Sequence, residues 1–247
     1  MKAMIFAAGL GARLRPLTDD RPKALVTVGG RTLLEITLTR LRTFGVDEVI
    51  VNVHHFADQI VSFLTANDNF GMRIEVSRED ELLDTGGGLK KAAWFFLESG
   101  DEPFIVHNVD VLSTIDLARM VEFHRQQDAL ATLAVQQRAT SRPLLFDRED
   151  RLVRRGAQTG SETASESGTE PPQPLAFCGI HVVSPRIFAK LDETGAFSIV
   201  DAYIRLAAQG ESIHAYRADG TYWRDLGRPQ HLIEAERDLA DGTCPTS

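Results

Sequence analysis

Short β-rich runs alternate with amphipathic helical stretches from the first residues of this chain, and no other feature limits its fold so strongly. The run "KAMIFAA" reads as a strand buried on both faces. Leu34, Leu38 and Leu41 recur at helical spacing, and "VDEVIVNV" supplies a β-branched second strand. Two parallel strands joined through a helix make a βαβ unit, whose sheet must be covered by helices on both faces. The pattern continues with a helix "FADQIVSFL", a strand "MRIEVSRE", a helix "GLKKAAWFFLE" and a strand "EPFIVHN" that stops at "VD". Asp116 is placed to cap the helix "LARMVEFHRQQ", and "ALATLAVQ" is a further strand. The expected fold is α/β, a mostly parallel sheet flanked by helices.

Beyond about residue 140 the rhythm changes. The stretch "RPLLFDREDRLVRR" reads as a hairpin turning at "DRED". Residues 156–174 carry no large apolar side chain, cannot offset the entropy of being ordered, and are expected to form a flexible loop. Order resumes in the strand "LAFCGIHVV", short helices around "SPRIFAKL" and "IVDAYIRLAAQ", a closing hairpin of "SIHAYRA" and "TYWRDLG", and a helix "PQHLIEAERDLA" with Pro229 at its start. Residues 241–247, "DGTCPTS", read as a frayed tail. We expect a single domain over residues 1–240, with halves at about 1–140 and 141–240.

Composition excludes several functions. A formal net charge of −8 provides no basic field for nucleic acid or an anionic membrane surface. The run "AMIFAAG" is too short for a secretory signal, no run approaches membrane-spanning length, and Cys178 and Cys244 are too isolated for a disulfide framework. A cytoplasmic protein without nucleic-acid or membrane partners is expected. Seven histidines show no zinc-site spacing, since His54 and His55 are adjacent and no H-x-x-x-H occurs. Cys178 beside Phe177 reads as a packed hydrophobe, and Trp94 to Phe96 as core.

Any anion site must therefore be local, and "FAAGLGARLRPLTDDRPKAL", residues 6–25, is the candidate. Gly9 and Gly11 at the end of a strand let backbone approach a ligand closely. A dinucleotide fingerprint fails because Leu14 occupies the third glycine position, and a P-loop fails because no Gly-Lys-Ser/Thr triplet exists. What remains is a glycine loop carrying Arg13, with Lys23 delivered from "RPKAL": backbone donors and two cations around a triphosphate. Arg15 is open to two readings, a solvated loop residue or a phosphate ligand.

These residues resemble the signature G-x-G-x-R-L-x-P-L-T…K-P-L of the sugar-1-phosphate nucleotidyltransferases, with Ala24 where the family has proline. The resemblance extends along the chain. "LLDTGGGLKKA" is similar to the nucleobase segment, "VHNVDV" to the segment whose aspartate binds metal, "FCGIHVVSPRIF" to the strand closing the sugar pocket, and "YWRDLGRPQHLIEAE" to the segment with the second metal carboxylate. It implies a Rossmann-like nucleotidyltransferase fold with a nucleotide-binding first half and a small β-rich sugar-binding portion in the second. It further implies catalytic Arg13 and Lys23; nucleotide contacts from Ala8, Gly9, Gly11, Thr85, Gly86 and Gly87; sugar contacts from Asn108, Gly179 and Trp223; and Mg²⁺ held by Asp110 and Asp225.

The implied reaction is attack of a sugar-1-phosphate on the α-phosphorus of a nucleoside triphosphate, by a monomer or small homo-oligomer. The short chain and "DTGGG" look most like the N-acetylmuramate-1-phosphate uridylyltransferases, implying UTP and a cell-wall precursor. Guanylyltransferases of mannose or heptose phosphates share similar glycine runs, and the fold also serves as a silent nucleotide-sensing module. Two departures stand out: Val109 precedes the metal aspartate where the family has glycine, and no Glu-Lys-Pro triplet lies between residues 147 and 175, leaving Arg154, Arg155 or the polar loop as substitutes.

Overall fold

The computed structural model describes residues 1–98, 100–156 and 171–244. The chain opens with β1 (Lys2–Phe6), the short paired strands β2 (Thr27–Val28) and β3 (Arg31–Thr32), and α1 (Leu33–Thr43). Next come β4 (Glu48–Val53), α2 (Ala57–Ala66), β5 (Arg73–Arg78), α3 (Asp84–Lys91), α4 (Ala93–Leu97), β6 (Phe104–Asn108), β7 (Val111–Ser113) and α5 (Leu117–Gln126). The remainder is β8 (Ala131–Gln136), β9 (Leu144–Phe146), β10 (Leu152–Arg155), β11 (Gln173–Val183), α6 (Ile199–Ala208), β12 (Ile213–Arg217), β13 (Trp223–Asp225) and α7 (Pro229–Ala240).

β1 lies between β4 and β6, with β5 outside β4, and all four run parallel. β11 enters beside β6 antiparallel, β8 pairs antiparallel with β11, and β12 parallel with β8. These seven strands are thus mostly parallel, with β11 alone reversed among them. β1 shows why it needs cover on both sides: Ala3 and Ile5 enter one core and Met4 the other, all fully buried. The first core takes α1 and α7, the second α3, α4 and α6. α1 begins where Thr32 accepts the Glu35 N–H at 3.1 Å, and Leu34, Leu38 and Leu41 are fully buried, as their spacing predicts. Asp116 caps α5 through the Arg119 N–H at 3.0 Å.

Four expectations are corrected. The helix expected over "GLKKAAWFFLE" begins earlier, at Asp84, and divides at Ala92 into α3 and α4. "SIHAYRA" and "TYWRDLG" form no hairpin with each other, because β12 completes the edge of β8 while β13 pairs with β7. The tail is not frayed at Cys244, which is 2% exposed with its N–H bonded to Asp238 O at 2.9 Å. The 156–174 loop is narrower than expected: Gly156 N–H bonds Pro143 O, and Gln173 and Pro174 already pair with Phe146 and Leu145, while 157–170 lie outside the described residues. The hairpin at "DRED" forms as β9 and β10, attached to the start of β11. No helix among the described residues is long and apolar enough to cross a membrane.

Candidate active site

Parallel strands end on one edge of a sheet, and the crevice beyond their carboxyl ends is the natural ligand site. Here β1 and β6 end together, Phe6 opposite Asn108, with Val109 N–H bonded to Phe6 O at 3.2 Å. Two adjoining cavities open there. The smaller, about 360 Å³, is lined by Ala8, Gly9, Lys23, Asn52, Glu79 and Leu82 among others. The larger, about 750 Å³, is lined by Gly179, Arg138, Trp223 and Asp225 among others. Asp84, Thr85, Asn108 and Asp110 line both.

The two signature glycines do different work. A Cβ on Gly9 would meet nothing within 4 Å, so the space it leaves belongs to the smaller cavity. Gly11 has φ +65°, and a Cβ there would lie 2.9 Å from Thr18 Cγ2; it shapes the loop, its carbonyl accepting the Thr18 hydroxyl at 2.9 Å. Leu14, the residue that excluded a dinucleotide site, is fully buried. Ala24 is fully buried as well, and Lys23 beside it is 9% exposed with its ammonium against Asp110 Oδ2.

Asp110 and Asp225, distant in sequence, meet through the β7–β13 ladder. Asp225 pairs with Val111, and Leu226 N–H donates to Asp110 O at 2.7 Å. Gly227 marks where the charges converge: a Cβ there would lie 2.7 Å from Asp225 Oδ1, 2.9 Å from Arg13 Nη2 and 3.3 Å from Lys23 Nζ. Val109 adopts no left-handed backbone and joins the core, so the departure from the family's glycine leaves Asp110 in contact with Lys23. Among the described residues no group of three or more acidic, histidine or cysteine side chains is arranged to hold a metal ion. Two carboxylates alone cannot fill a cation's coordination shell, but they suit a hard cation that arrives with phosphate and water.

The "DTGGG" run is placed differently from expectation. Gly86 N–H donates to Phe197 O at 2.8 Å, and a Cβ would lie 2.2 Å from the Phe197 ring. Gly87 faces Gly195 O, 2.4 Å from where its Cβ would be. Both are buried beneath residues 195–197 and line neither cavity, so in the ligand-free protein their missing side chains serve close packing. Gly88 leaves room for a buried polar pair, Asn52 Nδ2 donating to Glu79 Oε1 at 2.5 Å. Asn52 Oδ1 accepts Ala7 N–H, and Glu79 Oε2 accepts Leu83 N–H, each at 3.0 Å. Sequence reasoning missed Glu79. The available signal was Asn52, a polar residue inside "VIVNV", which needs a buried partner.

Asn108, Gly179 and Trp223, the expected sugar contacts, all line the larger cavity. Gly179, φ +73°, sits in a bulge of β11 between Phe177 and His181, where a Cβ would be 2.7 Å from Asn108 Nδ2. Trp223 Nε1–H donates to Cys178 O at 2.8 Å.

The family described as Nucleotidyl transferase matches residues 2–242. The chain belongs to that family. This nucleotidyltransferase is 35% identical over 249 residues to N-acetylmuramate alpha-1-phosphate uridylyltransferase of Caulobacter vibrioides, covering 97% of each chain. It is 28% identical to mannose-1-phosphate guanylyltransferase of Mycobacterium tuberculosis over 99% of its own length and 66% of that protein's. Its fold is shared with a UDP-glucose pyrophosphorylase solved with UDP-glucose (TM-score 0.79, 19% identity, covering 98% of both) and with HddC of Yersinia pseudotuberculosis solved with GMP-PN (TM-score 0.75, 21% identity, covering 96% of this chain and 99% of that one). It is a sugar-1-phosphate nucleotidyltransferase.

Several side chains of the transferase resolve into plain structural roles. Arg15 is exposed and paired with Asp19 at 3.4 Å, which favours its solvated reading. Burial pushes the Cys178 thiol up to about 11, as suits a packed hydrophobe. Tyr222 donates to Asp238 at 2.6 Å and is not in the cavity wall, whereas Trp223 is. Arg155 reaches the larger cavity and pairs with Asp201; Arg154 does not reach it. His181 lines that cavity with Nδ1 2.6 Å from the Tyr203 hydroxyl, and burial brings it down to about 3, so it stays neutral.

Proposed function

We propose that the transferase moves a uridylyl group from UTP to N-acetylmuramate-1-phosphate, releasing pyrophosphate. The observation that carries this reading is the convergence of Asp110, Asp225, Lys23 and Arg13 where two cavities join, which suits a nucleoside triphosphate meeting a sugar phosphate.

A phosphate monoester with a second pKa of about 6 is largely dianionic at neutral pH, so the acceptor needs no general base. The work is alignment of two anions and neutralisation of leaving charge. Asp110 and Asp225 would hold Mg²⁺, which when bound supplies positive charge to the phosphate oxygens. Lys23, in the wall of the smaller cavity against Asp110, which lines both, would hold its ammonium where the α-phosphate and the acceptor phosphate meet. Gly9 leaves the backbone bare beside the triphosphate, and Arg13 offers its guanidinium to the departing pyrophosphate. Glu79, buried on the base side with both oxygens already accepting one hydrogen bond, has lone pairs left for an imide N–H. Uracil N3–H and guanine N1–H meet that requirement; cytosine and adenine present an acceptor there instead. The whole-length likeness to a uridylyltransferase favours UTP and N-acetylmuramate-1-phosphate.

Pyrophosphate release measured across the four ribonucleoside triphosphates and dTTP, against a panel of sugar-1-phosphates, tests the reading. UTP with N-acetylmuramate-1-phosphate should show the highest kcat/KM. A preference for GTP with mannose- or heptose-1-phosphate would replace it with the guanylyltransferase reading, and nucleotide binding without turnover would leave a silent sensor.

A further inference from the structure

The larger cavity gathers positive charge in its wall. Arg138, Arg142 and Arg155 all line it, in a chain whose 35 acidic residues outnumber 27 basic ones. Arg155 is neutralised by Asp201. Arg138 and Arg142 have no carboxylate partner among the described residues.

Arg138 is also held rigidly. Its guanidinium lies over the Trp223 ring at 3.7 Å, one Nη2–H donates to Phe177 O at 2.9 Å, and Nε is buried with no partner. Trp223 is itself fixed by its bond to Cys178 O. A guanidinium already fixed by a stacked ring and a backbone bond loses little freedom on meeting an anion, and its planar geometry suits a carboxylate. Trp223 and Asp225 share one face of β13, two residues or about 6.6 Å apart, and Arg138 lies over the Trp223 ring, in the wall of the same cavity as Asp225.

We propose that Arg138, assisted by Arg142, recognises a second negative charge on the acceptor, a carboxylate carried by the sugar besides its 1-phosphate, and thereby selects acidic over neutral sugar phosphates. This deepens the proposed transferase reading and rests on it, but holds for any acidic sugar.

The test compares N-acetylmuramate-1-phosphate with N-acetylglucosamine-1-phosphate, which lacks the lactyl carboxylate, and glucuronate-1-phosphate with glucose-1-phosphate. The unaltered enzyme should favour the acidic member of at least one pair tenfold or more in kcat/KM. Arg138→Gln should raise KM for that acid at least tenfold with kcat little changed, and leave the neutral acceptor and the nucleotide within twofold; Arg138→Lys should recover part of the loss. Equal losses on acid and neutral acceptors, or an unchanged ratio, would overturn the proposal. If Arg138→Gln fails to fold, the exposed Arg142→Gln replaces it, with a smaller shift in the same direction expected and an unchanged ratio refuting the subsite. An enzyme that turns over only neutral acceptors keeps its transferase reading and loses this subsite. No pyrophosphate from any of the four acceptors overturns the subsite, and the wider nucleotide and sugar panel then decides the transferase reading.

Discussion

Lys23 is nearly buried yet carries a charge, and Asp110 is what makes that tolerable in the ligand-free protein. Substrate phosphates and a cation would rearrange that pair, so its value lies in the reaction rather than in the fold. Lys23→Ala should lower kcat by about 10²–10³ while circular dichroism stays native, since preorganised charge of this kind is typically worth that much. Near-normal turnover would reduce Lys23 to a structural partner of Asp110. Asp110→Asn and Asp225→Asn should each nearly abolish activity, and the double variant should be little worse than either, because both lose the same ion. Activity should vanish in EDTA and return with Mg²⁺ or Mn²⁺; full turnover in EDTA would contradict the assignment. Arg13 and Lys23 stood out in the sequence by their place in the glycine loop, whereas Asp110 and Asp225 were singled out only by the family resemblance. Their meeting around Gly227 was not legible, since no local pattern links residue 13 to residue 225.

At the scale of elements, α3 and residues 195–197 form one packed unit, and their glycines separate packing from binding. Gly87→Ala would press a Cβ against Gly195 O, a backbone atom that cannot move cheaply, and should cost about 1–3 kcal/mol of stability. Gly9→Ala faces open space, so urea unfolding should be close to unchanged while KM for the nucleotide rises. The opposite result, a fragile Gly9 variant and a robust Gly87 variant, would show that the glycine roles are reversed. The helix and the glycines were visible in the sequence, but the neighbours they pack against were not. A glycine bare for a ligand and one bare for a neighbouring loop look identical until the neighbour is in place.

For the molecule as a whole, three buried histidines set the acid limit of stability. Burial brings His107 and His124 down to about 4 and His181 to about 3, all below the ordinary value of 6.5. The unfolded chain therefore binds protons that the folded one refuses. Stability should be complete above about pH 6.5 and fall as the pH drops toward 4, with a loss of up to about 4 kcal/mol between pH 7.5 and 5.5. Unfolding free energies from urea titrations at those two values measure it directly, and equal values would mean these histidines titrate normally in the fold.

The alternation of strands and helices, the two-sided burial of β1 and the cationic glycine loop follow from sequence alone, because each depends on neighbours within a few turns of chain. The pairing of β13 with β7 rather than β12, the insertion of β11 against the sheet's direction, and the Asn52–Glu79 pair in the wall of the smaller cavity were decided only in three dimensions. An edge strand accepts whichever partner the rest of the fold brings to it, and a buried polar side chain is satisfied by whichever group arrives within reach. Both choices depend on contacts between residues far apart in the chain, and periodicity carries no information about those.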